Sequence, residues 1–231
     1  MRGKGYWEET IPVRRITTRP PRGKWTLAGE VCRQPMERSI CQSCFEENGY
    51  FREIYALTER RLSAARGLRV TVLSNYMREE LLALGLLQDR VHTVPPFVFG
   101  LDLQAEPDGP PCVLFVGRLA ETKGVREAVE AWQLSETGLP MVLAGSGPLR
   151  AELAAVAEKT PGLDVLGWVD RARLSRLYAR ARVLLFPPRW QEPFGIAGVE
   201  ALAFGVPVVT WNSGAIREWH PGPVRAAWGD V

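Results

Sequence analysis

The chain has 231 residues, with 29 basic and 26 acidic side chains, which gives a formal net charge of +3. Hydrophobic residues make up 46% of the chain and charged residues 24%, enough apolar material for a buried core. No run approaches the roughly 18 unbroken apolar residues of a membrane helix, and the small charge surplus does not indicate nucleic-acid binding. We therefore expect a folded cytoplasmic protein whose contact with membranes is at most peripheral.

The first part of the chain is basic and contains one predicted helix. Residues 1–69 carry 14 Lys and Arg against 8 Asp and Glu, whereas residues 70–231 carry 15 against 18. Helical spacing predicts a helix over Tyr50–Ala65, and the residues before it show no alternation of strands and helices. Residues 1–67 are therefore predicted to be an incomplete segment that cannot form a domain alone.

Three cysteines lie in this basic segment. Cys32, Cys41 and Cys44 have the spacing C-x8-C-x2-C, and the last two show the gap of a zinc knuckle. A structural zinc site needs four ligands, and no histidine lies nearby. Free thiols or a disulfide are therefore favoured over a zinc site, and elemental analysis for zinc distinguishes these alternatives.

Residues 68–110 contain two short predicted strands, a helix and a proline-rich bridge. The apolar runs Leu68–Leu73 and Val91–Val94 predict strands, and Tyr76–Leu84 between them has helical spacing. Prolines flank the segment 97–109, and such a composition is typical of an interdomain linker. We therefore expect residues 68–110 to be the end of one domain and the connection to the next.

From residue 111 onward, apolar runs alternate with helical segments. The predicted strands are Cys112–Val116, Pro140–Ala144, Leu163–Leu166, Arg182–Phe186 and Val206–Thr210, and the predicted helices are Val125–Leu134, Leu149–Lys159, Arg171–Ala181 and Ile196–Phe204. Continuous apolar runs fit strands that are buried on both faces of a parallel sheet, and the alternation implies right-handed crossovers. The sequence predicts a Rossmann-like, doubly wound α/β domain over residues 111–231.

In an open parallel sheet, ligands bind beyond the carboxyl ends of the strands, where loops lead into helix N-termini. Several glycines and two cations follow the predicted strands: Gly117, Arg118 and Lys123 after the first, Gly145 and Gly147 after the second, and Gly167 with Trp168 after the third. Such a set suits a diphosphate, although Arg118 and Lys123 could also be ordinary surface cations. The second loop lacks the third glycine of a dinucleotide fingerprint, which excludes a dehydrogenase.

Two glutamates follow the fourth of these strands. Glu192 and Glu200 are separated by about 12 Å along a helix, too far to share a proton or to flank one bond. We expect them to hold different parts of an elongated ligand, with Gly195 allowing close backbone approach. Glu200 is the only charge in a small, apolar run, so either ligand hydroxyls or an internal salt bridge with an arginine such as Arg118 or Arg217 must satisfy it.

Taken together, these motifs resemble the donor half of the retaining family 4 glycosyltransferases, which have the GT-B fold. The resemblance is carried in order by Val116-Gly117-Arg118-Leu119 with Lys123-Gly124, Ala144-Gly145-Ser146-Gly147-Pro148, Glu192-Pro193-Phe194-Gly195 with Glu200-Ala201, and Gly205-Val206-Pro207-Val208-Val209. The resemblance covers the chain from about Leu68 to Val231, with weaker similarity back to Gly29. On this resemblance, residues 68–110 are the end of the acceptor-side domain with its linker, and residues 111–231 are the donor-binding domain.

The resemblance implies an enzyme that transfers a sugar from a UDP- or GDP-sugar to an unidentified acceptor with retention, with no further cofactor. Arg118, Lys123 and Glu192 would be catalytic, because the two cations would bind the donor diphosphate and the carboxylate would bind the sugar. The residues implied in donor binding are Gly117, Gly145, Gly147, Trp168 and Val169 beside the base, Phe194, Gly195 and Ile196 through their backbone, and Glu200 on the ribose.

The sequence also departs from the family. Before Gly29 it lacks the strand–helix units, the Gly-rich loop and the active-site histidine of the acceptor half, and His92 and His220 do not match that histidine, so we expect structural or surface roles for both. The alternative function is therefore a noncatalytic or split donor-binding half that pairs with an acceptor-half subunit or with a second copy. A phosphate-sugar isomerase of GT-B fold is disfavoured because that class does not share the motif that begins at Glu192.

Overall fold

A computed structural model describes residues 48–220, 222, 225 and 226. The chain divides into two units, residues 1–61 and 62–231, and the described part of the first unit is helical. No helix among the described residues is long and apolar enough to cross a membrane. The predicted cluster of Cys32, Cys41 and Cys44 lies outside the described residues.

A small βαβ unit opens the second part of the chain. Helix α1 (Asn48–Arg66) is followed by strand β1 (Val70–Val72), helix α2 (Asn75–Ala83) and strand β2 (Val91–Thr93), and the two strands pair in parallel. Val72, Leu86 and Val91 form its buried core. The strands and helices predicted for this region are therefore confirmed, with bounds that differ by at most two residues.

A six-stranded parallel sheet makes up the larger body. Its elements are β3 (Cys112–Val116), α3 (Val125–Ser135), β4 (Met141–Ala144), α4 (Arg150–Ala157), β5 (Leu163–Gly167), α5 (Arg171–Arg180), β6 (Ala181–Phe186), α6 (Ile196–Ala203), β7 (Val208–Trp211), α7 (Ile216–Trp219) and β8 (Arg225–Ala226). The strand order is β5-β4-β3-β6-β7-β8. The chain order reverses direction at β3, so the sheet is doubly wound and the predicted α/β class is confirmed.

The centre of this sheet is covered on both faces. Leu114 on β3 and Leu184 on β6 are completely buried, and Leu153 on α4 and Leu177 on α5 are buried as well. Strand β7 starts at Val208 rather than at the predicted Val206, because Pro207 has no N–H and contributes only its carbonyl, which accepts from the Leu184 amide at 2.9 Å. The apolar runs therefore predicted the strands, while proline set this boundary.

The segment predicted to be a linker and the small βαβ unit both contact the elements of the large sheet. In that segment, the Asp102 amide donates to the Ser175 hydroxyl on α5 at 3.0 Å. At the start of α2, the carboxylate of Glu218 on α7 accepts from the amides of Asn75 and Tyr76 at 2.9 and 2.6 Å. A carboxylate at a helix N-terminus is electrostatically favourable, so Glu218 stabilises this contact.

Candidate functional site

Backbone packing joins the loops that follow β3 and β4. The Gly117 amide donates to the Ala144 carbonyl and the Leu119 amide to the Ser146 carbonyl, both at 3.0 Å. A Cβ on Gly145 would lie 1.8 Å from the Gly117 oxygen, and one on Gly147 would lie 2.3 Å from the Leu119 oxygen. Glycine is therefore required in the second loop because a neighbouring backbone occupies the space of a side chain.

The same kind of packing joins the loop after β3 to the loop after β6. Gly124 has a left-handed backbone with φ of 67°, and a Cβ there would lie 1.7 Å from the Pro187 carbonyl oxygen. The Arg189 amide also donates to the Thr122 carbonyl at 2.9 Å. Lys123 is thereby fixed beside the chain segment that leaves β6.

Lys123 and Glu192 form a partly buried ion pair at this edge of the sheet. The Lys123 Nζ lies 2.8 Å from the Glu192 Oε2, and the Trp190 Nε1 donates to the same oxygen at 2.6 Å. The Lys123 ammonium also lies 4.5 Å from the centre of the Trp190 ring. Glu192 is only 5% exposed, so two donors on one oxygen offset the cost of burying its charge. Lys123 is not an ordinary surface cation.

The segment that carries Glu192 is hydrogen-bonded to the loop that follows β7. The Gly214 amide donates to the Gln191 Oε1 at 2.8 Å, and the Ala215 amide donates to the Glu192 carbonyl at 2.9 Å. A Cβ on Gly214 would lie 2.3 Å from that carbonyl oxygen. The position of the Glu192 backbone is therefore set by contacts across two loops.

Arg118 is the second predicted cation. It follows Gly117 at the carboxyl end of β3, and its side chain is exposed. Among residues 48–220 it forms no ion pair, unlike Lys123. Its guanidinium is available to an anion from solvent.

Helix α6 begins directly after the Glu192 motif. Gly195 stands before its first turn with φ of 89°, and the Gly198 amide donates back to the Gly195 carbonyl at 3.0 Å. Within the described part of the chain, the amides of Gly195, Ile196 and Ala197 donate to no other group. Such unpaired amides at a helix N-terminus favour oxygen atoms and negative charge.

Glu200 lies about one turn after the first residue of α6 and is 5% exposed. The Arg171 Nη1 lies 2.7 Å from its Oε1, and the Tyr178 hydroxyl donates to its Oε2 at 3.0 Å. The internal salt bridge considered as an alternative is therefore present, but its partner is Arg171 rather than Arg118 or Arg217. Burial, and then the charge of Glu200, raise the pKa of Tyr178, which keeps its hydroxyl a neutral donor.

The remaining predicted residues differ in exposure. Trp168 is 76% exposed, while Val169 packs against the main core. His220 is buried, with its Nε2 2.8 Å from the Val208 carbonyl, as expected for a structural histidine, and His92 is exposed on β2. Between residues 48 and 220, no group of three or more His, Cys, Asp or Glu is arranged to hold a metal ion.

Three residues of the site were not among the predicted ones: Trp190, Arg171 and Tyr178. Arg171 and Tyr178 precede Glu200 by 29 and 22 residues, so no local spacing indicates their contact. Trp190 is only two residues from Glu192, and an aromatic residue with a polar N–H beside a predicted buried carboxylate was a signal that could have been used.

Comparison with known proteins identifies the family to which this chain is similar. Residues 103–219 match the family described as Glycosyl transferases group 1. The chain is 28% identical to an uncharacterized glycosyltransferase of Methanocaldococcus jannaschii over 226 residues, which cover 86% of this chain and 57% of that protein. It is 38% identical over 106 residues to a GDP-mannose-dependent alpha-(1-6)-phosphatidylinositol dimannoside mannosyltransferase of Mycobacterium tuberculosis, covering 44% of this chain and 27% of the mannosyltransferase.

The fold is also shared with solved structures. The pneumococcal O-GlcNAc transferase in complex with UDP and GlcNAc superposes with a TM-score of 0.54 at 19% identity, over 70% of this chain and 34% of that one. The chain thus spans between a quarter and three-fifths of the length of these relatives. Because the family match covers residues 103–219, and with them the sheet edge that holds Lys123 and Glu192, the chain belongs to the group 1 glycosyl transferases.

Proposed function

We propose that this chain binds the donor in a retaining transfer of a sugar from a nucleoside diphosphate sugar to an acceptor. The observation that carries the proposal is the Lys123 ammonium, which lies 2.8 Å from the Glu192 carboxylate and 4.5 Å from the centre of the Trp190 ring at the sheet edge. Arg118 lies on the same loop and forms no ion pair with the part of the chain that the structure describes. A planar guanidinium and a point-charge ammonium together suit two phosphoryl groups.

The chemistry follows from where charge develops. As the bond to the anomeric carbon breaks, the leaving diphosphate gains negative charge, so Arg118 and Lys123 would stabilise the transition state more than the ground state. The unpaired amides at the start of α6 would add partial positive charge, and Glu192 would accept hydrogen bonds from the sugar. These residues therefore supply leaving-group stabilisation with two cations in place of a metal ion.

Glu200 would bind the nucleotide ribose. Each of its oxygens accepts one hydrogen bond from the protein, and a carboxylate has about four acceptor positions, so capacity remains for ribose hydroxyls. Trp168, with its exposed indole, would border the base, and Val169 would support it from the core side. A UDP- or GDP-sugar donor is favoured because the relatives named above include a GDP-mannose-dependent enzyme and a transferase in complex with UDP.

Calorimetry with UDP, GDP and ADP tests the proposal. Arg118→Ala is expected to weaken binding by about tenfold or more, because it removes charged hydrogen bonds to phosphate without breaking an ion pair among residues 48–220. Arg182→Ala is the matched control: this arginine is also exposed, but it lies at the opposite end of the neighbouring strand β6. Unchanged binding in both Arg118→Ala and Glu200→Ala would contradict the proposal.

A second candidate is a donor-binding half that works with a separate acceptor-half chain or a second copy. The observation in its favour is a set of large apolar side chains that are exposed on and around the small βαβ unit, namely Leu68, Leu73, Leu87 and Val94. Exposed apolar side chains can mark an interaction surface where they form one patch. Light scattering on the purified chain, alone and after co-expression with its genomic neighbours, distinguishes a monomer from either assembly.

A further inference from the structure

The two oxygens of the Glu192 carboxylate are in different environments. Oε2 accepts from the Lys123 ammonium at 2.8 Å and from the Trp190 indole at 2.6 Å. No residue between 48 and 220 donates to Oε1. A carboxylate with both protein donors on one oxygen keeps the other free for an incoming hydroxyl.

Trp190 is what produces this asymmetry. Its indole N–H binds Oε2, and its ring lies below the Lys123 ammonium, so one side chain holds both members of the ion pair. The Ser213 hydroxyl donates to the Trp190 carbonyl and fixes the backbone of the tryptophan. Without the indole, Lys123 could bridge both oxygens, because an ammonium has three donors and no preferred direction.

We propose that Trp190 is a positioning residue that directs the Glu192 Oε1 toward a hydroxyl of the donor sugar. This inference rests on the function proposed above, since it specifies how the sugar subsite is built. Trp190 does not contact the sugar itself in this scheme. It acts through Glu192, and it holds the Lys123 ammonium on the oxygen that faces away from the sugar.

The contact itself is tested in the protein without ligand. In a 15N-edited NMR spectrum, Trp190→Phe removes one indole N–H resonance and thereby assigns it. Glu192→Gln is expected to shift that resonance upfield, because a neutral amide accepts more weakly than a carboxylate. Glu200→Gln is the matched control and should leave it in place. A resonance that Glu192→Gln does not move would overturn the positioning role. If Trp190→Phe folds poorly, Trp190→Tyr, which also lacks the indole N–H, gives the assignment instead.

The role of Trp190 in sugar binding is tested by a ratio of affinities, namely the affinity for UDP-glucose divided by that for UDP, and the affinity for GDP-mannose divided by that for GDP. Trp190→Phe keeps a ring below Lys123 and is expected to lower the ratio by about fivefold, the value of one ordinary hydrogen bond, with UDP or GDP binding unchanged within about twofold. Trp132→Phe is the control, because its indole N–H binds the Leu139 carbonyl at 2.8 Å in another part of the domain.

A double-mutant cycle separates action through Glu192 from other effects. In a Glu192→Gln background, Trp190→Phe should lower the ratio no further. An intact ratio in Trp190→Phe, an additive loss in the double variant, or an equal loss for UDP and UDP-glucose would each overturn the inference. If the wild-type chain binds none of the four nucleotides, the proposed function fails, and the NMR experiment still decides the Trp190 contact.

Discussion

Glu192 and Glu200 are eight residues apart and equally buried, yet their surroundings differ. Glu192 receives both of its protein donors, Lys123 and Trp190, on one oxygen. Glu200 receives Arg171 on one oxygen and Tyr178 on the other. One carboxylate therefore keeps a free oxygen, whereas the other has each oxygen bound within the protein.

Under the proposed function, the difference predicts two kinds of ligand contact. At Glu192 a hydroxyl could bind without displacing a protein group, so the carboxylate would be preorganised for a ligand. At Glu200 a ligand has to share each oxygen with Arg171 or Tyr178. Arg171 also donates to the Phe99 carbonyl and lies 5.6 Å from the Phe99 ring, so a change at Glu200 reaches the linker, while one at Glu192 does not.

The largest effect is expected from a substitution that disturbs the surroundings of Glu192 and leaves those of Glu200 unchanged. Gly124→Ala places a methyl group 1.7 Å from the Pro187 carbonyl oxygen at a residue with φ of 67°, so the loop that carries Lys123 must move. We expect a loss of about 3 kcal/mol or more in the free energy of unfolding, measured by urea denaturation.

Gly205→Ala is the control for this substitution. Gly205 has a similar φ of 73° but no atom within 4 Å of the added methyl group, so only the backbone cost of about 1 kcal/mol applies. Equal losses in the two variants would show that the contact between the loops after β3 and β6 does not fix Lys123.

The second prediction compares the two cations directly. The side chains of Glu192 and Glu200 are 7% and 6% exposed, so the two carboxylates are matched in burial. Their cations are not, because the Lys123 side chain is 21% exposed and the Arg171 side chain is 42% exposed. Lys123→Met should therefore cost about 2–3 kcal/mol of unfolding free energy, because it leaves a buried carboxylate with one donor. Arg171→Met should cost about 1 kcal/mol, because water screens the more exposed pair.

Arg171→Lys, which retains the positive charge, is the control for the loss of side-chain packing. Chemical denaturation of all three variants at one pH gives the comparison. If Arg171→Met proves more destabilising than Lys123→Met, then solvent exposure of the cation does not decide the strength of these pairs, and the contact of Arg171 with the linker is the larger contribution.

The sequence predicted the backbone of this site better than its side-chain contacts. The strand Cys112–Val116 was predicted with its observed bounds, because a short apolar run buried on both faces leaves little choice of conformation. Parallel strands then bring the loops with Lys123 and Glu192 to one edge.

The partners of the two carboxylates could not be predicted in the same way. Burial of Glu200 in an apolar run predicts either ligand hydroxyls or an arginine such as Arg118 or Arg217 as its partner. The arginine that contacts it is Arg171, because α5 begins at that residue beside α6. Lys123 and Glu192 are 69 residues apart, and the packing of Gly124 on Pro187, together with the Arg189–Thr122 hydrogen bond, brings them together. Such pairings depend on tertiary structure, which spacing along the chain does not encode.

A smaller effect than that of Lys123→Met is expected when the second donor to Glu200 is removed. Tyr178→Phe keeps the ring that stacks on Phe204 with centroids 5.4 Å apart, and removes only the hydroxyl. We expect a loss of about 1–2 kcal/mol in unfolding free energy at pH 7, because the Oε2 of Glu200 loses a charge-assisted hydrogen bond.

The stability difference between the wild type and Tyr178→Phe is expected to depend on pH. Burial raises the pKa of Tyr178 in the folded state, so above about pH 10 the unfolded chain releases this proton while the folded chain retains it. The stability of the wild type therefore falls with rising pH by a term that Tyr178→Phe lacks, and the difference between the two proteins should be constant from pH 7 to about pH 9.5 and shrink above it. Tyr76, whose pKa burial also raises, is unchanged in both proteins and cancels in the comparison. A difference that stays constant above pH 10 in urea titrations would mean that the Tyr178 hydroxyl is not shielded from water in the folded state.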